Sequence, residues 1–330
     1  MLKRFGENIY NYLLDALEHG PTQIRKNVVQ CFAFIMSEKH GYEGAIEHLT
    51  RQLYGKKERV VEAIIDGLLT LGTPAINILI EKLQIKDIQF RKNAINVLEH
   101  FGLSNIEIAL DDELQVSAGR STKLGLLLYL YYPDENVKEL GKSFALHRNK
   151  LRVKTDDLFE IVKNALTDAD PKVREKACDI LRYFGARSVP LLIKSLTDHN
   201  IRIRRAAIQS LRIIGSKRAL IALLDAATDK DPVIAETATR ALGELGDPAV
   251  VDTLIKNLNH QNALIRDAAI YAIVSIGSHV IPKLSPLLAG GSRRITEGII
   301  NASIRIGAPA LDKHLEYIDK GNETWFNNIK

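Results

Sequence analysis

Between residues 170 and 307, apolar and polar positions recur with two nested periods. The short period is four: Val173/Ala177/Leu181, Ile203/Ala207/Leu211, Ile234/Ala238/Leu242 and Ile265/Ala269/Ile273, with a weaker fifth set, Ile295/Ile299/Ser303. Spacing by four puts each set on one face of an α-helix. The long period is set by the glycine that follows each set: Gly185, Gly215, Gly246, Gly277 and Gly307, at intervals of 30, 31, 31 and 30. A glycine just past a helical pattern predicts a helix end in the left-handed conformation. A shorter apolar helix is expected after each glycine, as at Val189 to Leu196, Ala249 to Leu258 and Val280 to Leu288. Then comes a turn rich in cap residues: Asp168 to Pro171, Asp198 to Asn200, Asp229 to Pro232 and Asn259 to Asn262. The repeating unit is a helical hairpin of about 30 residues.

The same unit is legible nearer the N-terminus. Val60/Ile64/Leu68/Gly72 and Phe90/Ala94/Leu98/Gly102 keep its spacing, and Ile24/Val28/Phe32 begins another unit with a longer exit from Ser37 to Gly41. Between Gly102 and Gly185 the interval is 83 residues, which fits neither two units nor three. The expected organisation is N-terminal repeats over 1–102, degenerate repeats or a junction over 103–154, regular repeats over 155–307, and a capping helix and tail over 308–330. Trp325 and Phe326 in that tail read as a cover for the last apolar face, with a docking anchor as the alternative.

Composition agrees with helices packed through small and aliphatic side chains. Of the 330 residues 46% are hydrophobic and only 6% aromatic, which argues against a sandwich or barrel and against a disordered chain. The fold class expected is all-α: an α-solenoid of stacked antiparallel hairpins, since one hairpin cannot bury its apolar face alone. Cys31 and Cys178 are too far apart for a disulfide framework or zinc motif and read as small buried hydrophobes. The basic start Met1 to Phe5 is followed by Glu7 and Asp15, so a secretory leader is not expected. Without an apolar run of about 18 residues, no membrane span is expected either. The simplest location is the cytoplasm.

The turn Asp-x-x-Val-Arg, with Ala and Leu following at helical spacing, resembles the HEAT repeat. It is most similar to the short HEAT-like type associated with phycobilisome bilin lyases. Asp170-Pro171-Lys172-Val173-Arg174 matches in full, Asn200 to Arg204 and Asn262 to Arg266 match with Asn for Asp, and Asp87 to Arg91 matches with Phe90 for Val. Asp231 to Ala235 keeps the acid and loses the arginine. The resemblance implies that the helix after this turn lines the concave side. It also implies a structural ladder of Asp87, Arg91, Asp170, Arg174, Asn200, Arg204, Asn262 and Arg266.

A search for chemistry finds no catalytic constellation. The nine histidines are scattered, and no pair has the one-turn spacing of a metal-binding helix. The HEAT-like deoxyhypusine hydroxylases hold iron through His-Glu pairs, and this sequence has no His-Glu dipeptide. Gly290-Gly291-Ser292 precedes a helix but lacks the Gly-Lys-Ser/Thr of a phosphate loop, and reads as a repeat turn. No catalytic residue, metal ligand or cofactor is assigned.

Charge is segregated along the chain. From Lys172 to Arg218 there are twelve Lys and Arg against three acids, while the whole chain carries a net +5. A second basic run spans Lys138 to Lys154. Counting six residues past each first core position gives a line of Gln30, Asp66, Asn96, Asp179, Gln209, Arg240, Tyr271 and Asn301, all polar or Tyr. With Lys176, Arg182, Arg205 and Arg212 beside it, the partner-binding set expected on the concave face is Lys176, Asp179, Arg182, Arg205, Gln209, Arg212, Arg240 and Tyr271. The expected function is a non-enzymatic scaffold for a protein or peptide partner with an acidic surface. Nucleic acid is the less favoured partner, because no aromatic ladder accompanies the basic residues. An enzyme accessory of the bilin-lyase type is the alternative that the resemblance adds.

Overall fold

The computed structural model describes residues 16, 19–54, 58–137, 141 and 155–319, and among these every regular element is a helix. The basic run 138–154 therefore falls almost wholly outside the described residues, as do Trp325 and Phe326. Contacts divide the chain into two compact units, with the boundary between Ala169 and Asp170.

The first unit contains α1 (Thr22–Arg51), α2 (Glu58–Leu71), α3 (Thr73–Lys82), α4 (Ile88–Phe101), α5 (Leu103–Val116), α6 (Ala118–Tyr131) and α7 (Thr155–Ala165). The periodic sets are its core: Val60, Ile64, Leu68, Phe90, Ala94 and Leu98 are at most 3% exposed. The set at Ile24 is displaced, however. Ile24 is 48% exposed and Val29 is the buried residue, so the inward face of α1 lies one residue on from the predicted register. Gly41 breaks α1 with φ 74°, where the sequence placed the exit of this unit. In the span of broken period, α5 and α6 pack on each other and α6 packs on α7.

The second unit alternates long and short helices. The long ones are α8 (Pro171–Leu181), α10 (Ile201–Ile214), α12 (Pro232–Leu245), α14 (Ala263–Ile276) and α17 (Arg293–Ile306). The short ones are α9 (Val189–Ser195), α11 (Leu220–Ala226), α13 (Val251–Leu258), α15 (Ile281–Leu284) and α16 (Leu287–Gly290), and α18 (Ala308–Asp319) follows α17. Each long helix packs on the next, and each of α9, α11 and α13 packs on the long helix that follows it. All twelve residues of the first four periodic sets are buried, and in the weaker fifth set only Ile299 is.

The repeat glycines all have positive φ, as the sequence predicted. Only two take the left-handed helical conformation, Gly215 at φ 65°, ψ 23° and Gly246 at φ 68°, ψ 18°. Gly277 and Gly307 instead sit near φ 80°, ψ −155°, a region essentially closed to side chains. The two conformations lead into different next steps. After Gly215 and Gly246 one further residue intervenes before the 3-10 turn, whereas Gly277 caps its turn directly and Gly307 leads straight into α18.

Candidate functional site

The line six residues past each core position emerges as expected for a helix. Six residues turn the chain through roughly 600°, which carries the side chain well away from the buried stripe. In the second unit Asp179, Gln209 and Arg240 are half-buried, and Tyr271 and Asn301 are exposed. In the first unit Asp66 and Asn96 are half-buried, and the side chain of Gln30 lies outside the described residues. Along the second unit this line joins neighbouring repeats: the Arg240 guanidinium lies 5.1 Å from the centre of the Tyr271 ring. Glu236, one turn back on the same helix, fixes Arg240 through a 2.7 Å Nε–Oε1 ion pair.

The basic residues beside this line have unequal freedom. Arg205 is exposed, and Lys176, Arg182 and Arg212 are half-buried. Arg182 lies over the Tyr183 ring at 4.9 Å and donates from Nη2 to the Tyr183 hydroxyl at 2.9 Å. Arg212 meets Glu244 of the next long helix, Nη1 to Oε2, at 2.6 Å. The belt is therefore less positive than a count of basic residues implies, since the sequence reading left out Glu236 and Glu244. Two large apolar side chains stand out beside the arginines, Tyr183 at 51% and Ile213 at 53% exposed. They occupy equivalent sequence positions in successive repeats, two residues after Leu181 and Leu211, Tyr183 in the 3-10 turn that follows α8 and Ile213 in the last turn of α10. That regularity is visible in the sequence, but a core pattern draws attention to the buried positions instead.

The ladder forms with different carboxylates from those proposed. Asp87, Asp170, Asn200 and Asn262 act as helix caps, accepting from the amides of Phe90, Lys172, Arg202 and Leu264 respectively. The arginines pair with acids two residues before a cap. Arg174 forms a two-point bond with Asp198, Nε to Oδ2 at 3.0 Å and Nη2 to Oδ1 at 3.2 Å. Arg204 donates to the Asp198 carbonyl at 2.9 Å and reaches Asp229 at 3.7 Å. Asp198 thus links two rungs, its carboxylate to one arginine and its carbonyl to the next. The first unit has its own rung, with Arg91 buried against Asp168. The missing signal was an acid at the second position before each cap, seen in Asp168, Asp198 and Asp229. The same position is His260 before Asn262 and Gly290 before Ser292. Ala235 stands where the first of those gaps would need an arginine. Arg266 faces the second and bonds the carbonyls of His260 and Gln261 in its own turn.

The cysteines differ from each other. Cys178 is buried, and burial is the main cause that pushes its thiol up to about 12. Cys31 is exposed, which corrects the reading of both as buried hydrophobes. Among the described residues no group of three or more His, Cys, Asp or Glu gathers as a metal site, and no single helix is long and apolar enough to cross a membrane.

The alternation of long and short helices, with each long helix packed on the next, defines an all-α repeat protein of the solenoid class. The family profile of HEAT repeats matches residues 159–239 and 222–303. Residues 159–303 are therefore similar to HEAT repeats, and a bilin lyase subunit is among the proteins that match part of the chain. That relative is the phycocyanobilin lyase subunit alpha of Picosynechococcus sp. (strain ATCC 27264 / PCC 7002 / PR-6), 37% identical over 115 residues. The match spans 30% of this chain and less than half, 43%, of the lyase subunit. Among solved structures, importin beta is similar over 90% of this chain and 48% of its own, with 12% identity and a TM-score of 0.48. An engineered protein is similar over 96% of both chains, with 16% identity and a TM-score of 0.42.

Proposed function

We propose that the chain is a non-enzymatic scaffold that binds a protein or peptide partner with an acidic surface along the concave face lined by the long helices. The observation that carries this reading is the row of unburied side chains repeated on successive long helices: Asp179, Gln209, Arg240, Tyr271 and Asn301. A row so varied in charge and shape suits a specific partner better than a uniform polyanion. Arg182 and Arg205 supply attraction for acidic groups, and Tyr183 and Ile213 supply apolar contact next to them. This combination of arginine, tyrosine and aliphatic side chains is the chemistry of protein interfaces. The ion pair of Arg212 with Glu244 is more than a third exposed on both sides, so exchanging it for a partner carboxylate costs little.

The test is the double variant Arg182→Glu, Arg205→Glu, compared with the wild type in crosslinking and affinity capture from the native cell. Binding of the captured partner is expected to fall and to lose its dependence on salt, with the circular dichroism unchanged. Unchanged affinity and salt slope would remove this face from the reading. Tight binding of duplex DNA at physiological salt would favour the nucleic-acid alternative instead.

A second reading, an accessory to bilin attachment, is favoured by the 37% identity with the lyase subunit. Mixing the purified chain with phycocyanobilin and recording the visible spectrum separates the two. An absorbance shift supports the accessory reading, and its absence leaves the scaffold.

A further inference from the structure

Each repeat of the second unit carries one more exposed position that the core pattern does not explain, the second residue before its glycine. The residues there are Tyr183, Ile213, Glu244, Ser275 and Arg305, and all are exposed. They lie one helical turn beyond the row that runs from Asp179 to Asn301, so the two rows are neighbours on the same side of the long helices.

The chemistry of this outer row changes from layer to layer. Its first two members are apolar and its third is an acid. An arginine precedes each apolar member, Arg182 before Tyr183 and Arg212 before Ile213. The first two layers therefore offer apolar contact beside a positive charge, and the third offers a carboxylate. The third is also joined to the second, because Arg212 and Glu244 form the 2.6 Å ion pair between α10 and α12.

We propose that this row reads an acidic segment of the partner in the polyproline II conformation, one residue in three against each layer. Apolar side chains of the segment meet Tyr183 and Ile213, carboxylates between them meet Arg182 and Arg212, and a lysine or arginine three residues further on meets Glu244. The proposal rests on the scaffold reading above and adds the register of the partner. Each long helix packs on the next, and packed helices lie about 8–10 Å apart. A polyproline II chain repeats every three residues, about 9.3 Å, so every third side chain falls on the next layer. A β-strand does not keep this step, since residues three apart point to opposite faces. An α-helix needs seven residues and about 10.5 Å, which overruns the spacing. The polyproline II backbone leaves its own amides and carbonyls unpaired. Gln209, half-buried one turn back from Ile213, has both a donor and an acceptor to meet them.

The ion pair between the layers makes the acid and the base of the segment act together. Both side chains of the pair are 36% exposed. A partner carboxylate that takes Arg212 releases Glu244, and the partner's own cation then neutralises it. An all-acidic segment leaves Glu244 unpaired beside its own charge.

The probe is a fluorescein-labelled peptide, Leu-Glu-Pro-Leu-Glu-Pro-Lys, in which each proline biases the residue before it toward polyproline II. Its fluorescence anisotropy is titrated with the full chain. One control inserts an alanine between the first proline and the second leucine, which keeps the charge and breaks the three-residue step. Another replaces the lysine by glutamate. Each control should bind about tenfold more weakly than the probe. Tyr183→Ala and Ile213→Ala change exposed side chains and should each weaken the probe several-fold, with the circular dichroism retained. Glu244→Lys should reverse the preference, so that the peptide ending in glutamate binds better than the one ending in lysine. Equal affinity for the probe and the inserted control would overturn the register, as would no binding of the probe at millimolar concentration. Either result together with weaker partner capture by the Arg182→Glu, Arg205→Glu variant would leave the acidic-partner reading standing and remove only this one.

Discussion

Arg91 and Asp168 are 77 residues apart in the chain and meet in a two-point bond, Nη1 to Oδ1 at 3.1 Å and Nη2 to Oδ2 at 2.8 Å. Their side chains are only 9% and 4% exposed. Arg91 also donates from Nη2 to the Ile85 carbonyl and lies 4.8 Å from the centre of the Tyr131 ring. One guanidinium therefore ties together the turn before α4, the end of α6 and the segment after α7. The helices of the broken period are held by an ionic clasp as well as by an apolar stripe.

Removing one partner strands the other charge in a nearly dry site. Asp168→Ala is expected to cost about 3–5 kcal/mol, while the double variant Arg91→Met, Asp168→Leu should recover much of that loss. Urea unfolding of both proteins checks the pair. Equal destabilisation by the single and double variants would mean that packing, not charge, holds this junction.

The rung of Asp198 predicts how the second unit responds to acid. Burial by itself would raise the carboxyl's pKa. Its hydrogen bonds from Arg174 and the Asn200 amide, with the positive charge of Arg174, outweigh burial and hold it below the ordinary carboxylate range. A carboxyl depressed on folding contributes stability above its unfolded pKa, near 4, and loses it as pH falls through the lower folded value. Asp198→Asn should therefore lower stability at pH 7 and flatten its decline below pH 4. Because the pair is partly exposed, about 1 kcal/mol is expected at neutral pH. Thermal melts at pH 7 and pH 3 measure both effects.

How much of this was legible in the sequence follows from what repeats. Ala177, Ala207, Ala238 and Ala269 are fully buried at the same position of successive long helices, so burial imposed one residue type at one spacing. The line of outward residues followed from the same geometry. The ion pairs were harder to see, because Asp198 acts on Arg174 of the layer before it, and a reading within one motif assigns the arginine to its own cap. Tyr131 was harder still. It reaches Arg91 through the fold of a span without a clean period, and its pKa is raised to about 12, first by burial and then by Asp168.

Close packing in the middle of the second unit yields a prediction about one missing methyl. Gly243 is buried in α12, and a Cβ there would lie 2.3 Å from the Ala272 Cα and 2.6 Å from its Cβ on α14. No flexible side chain end can move aside, since the nearest atoms are backbone and Cβ. Gly243→Ala gains helix propensity of about 1 kcal/mol and forces the two helices apart, which costs about 1–3 kcal/mol or more. A net loss of stability is expected, with faster hydrogen exchange in α12 and α14 together. A more stable variant would show that the two helices can separate freely.

The contact between α18 and the layer beneath it contains a titratable hinge, His314. Its Nδ1 lies 2.8 Å from the Ser285 hydroxyl and its Nε2 3.0 Å from the Ser303 hydroxyl, so one ring joins α18 to the end of α15 and to α17. Each serine hydroxyl also lies within reach of the carbonyl four residues back, Ser285 of Ile281 and Ser303 of Ile299, and beside a neutral ring one hydroxyl donates to the ring nitrogen and only the other to its carbonyl. Burial lowers the pKa of His314 below its ordinary value of 6.5, so the folded protein holds the ring neutral near pH 7. The unfolded chain takes up the proton first as pH falls. The contribution of His314 is therefore full above about pH 6.5 and declines as the solution is acidified through that value. Hydrogen exchange in α18 should accelerate between pH 7 and pH 5, after correction for intrinsic rates, while α14 changes little. His314→Gln keeps a hydrogen-bonding side chain and removes the titration, so its α18 should exchange with the same corrected rate at both pH values. If the variant keeps the wild-type pH dependence, another group controls this contact and His314 is a bystander.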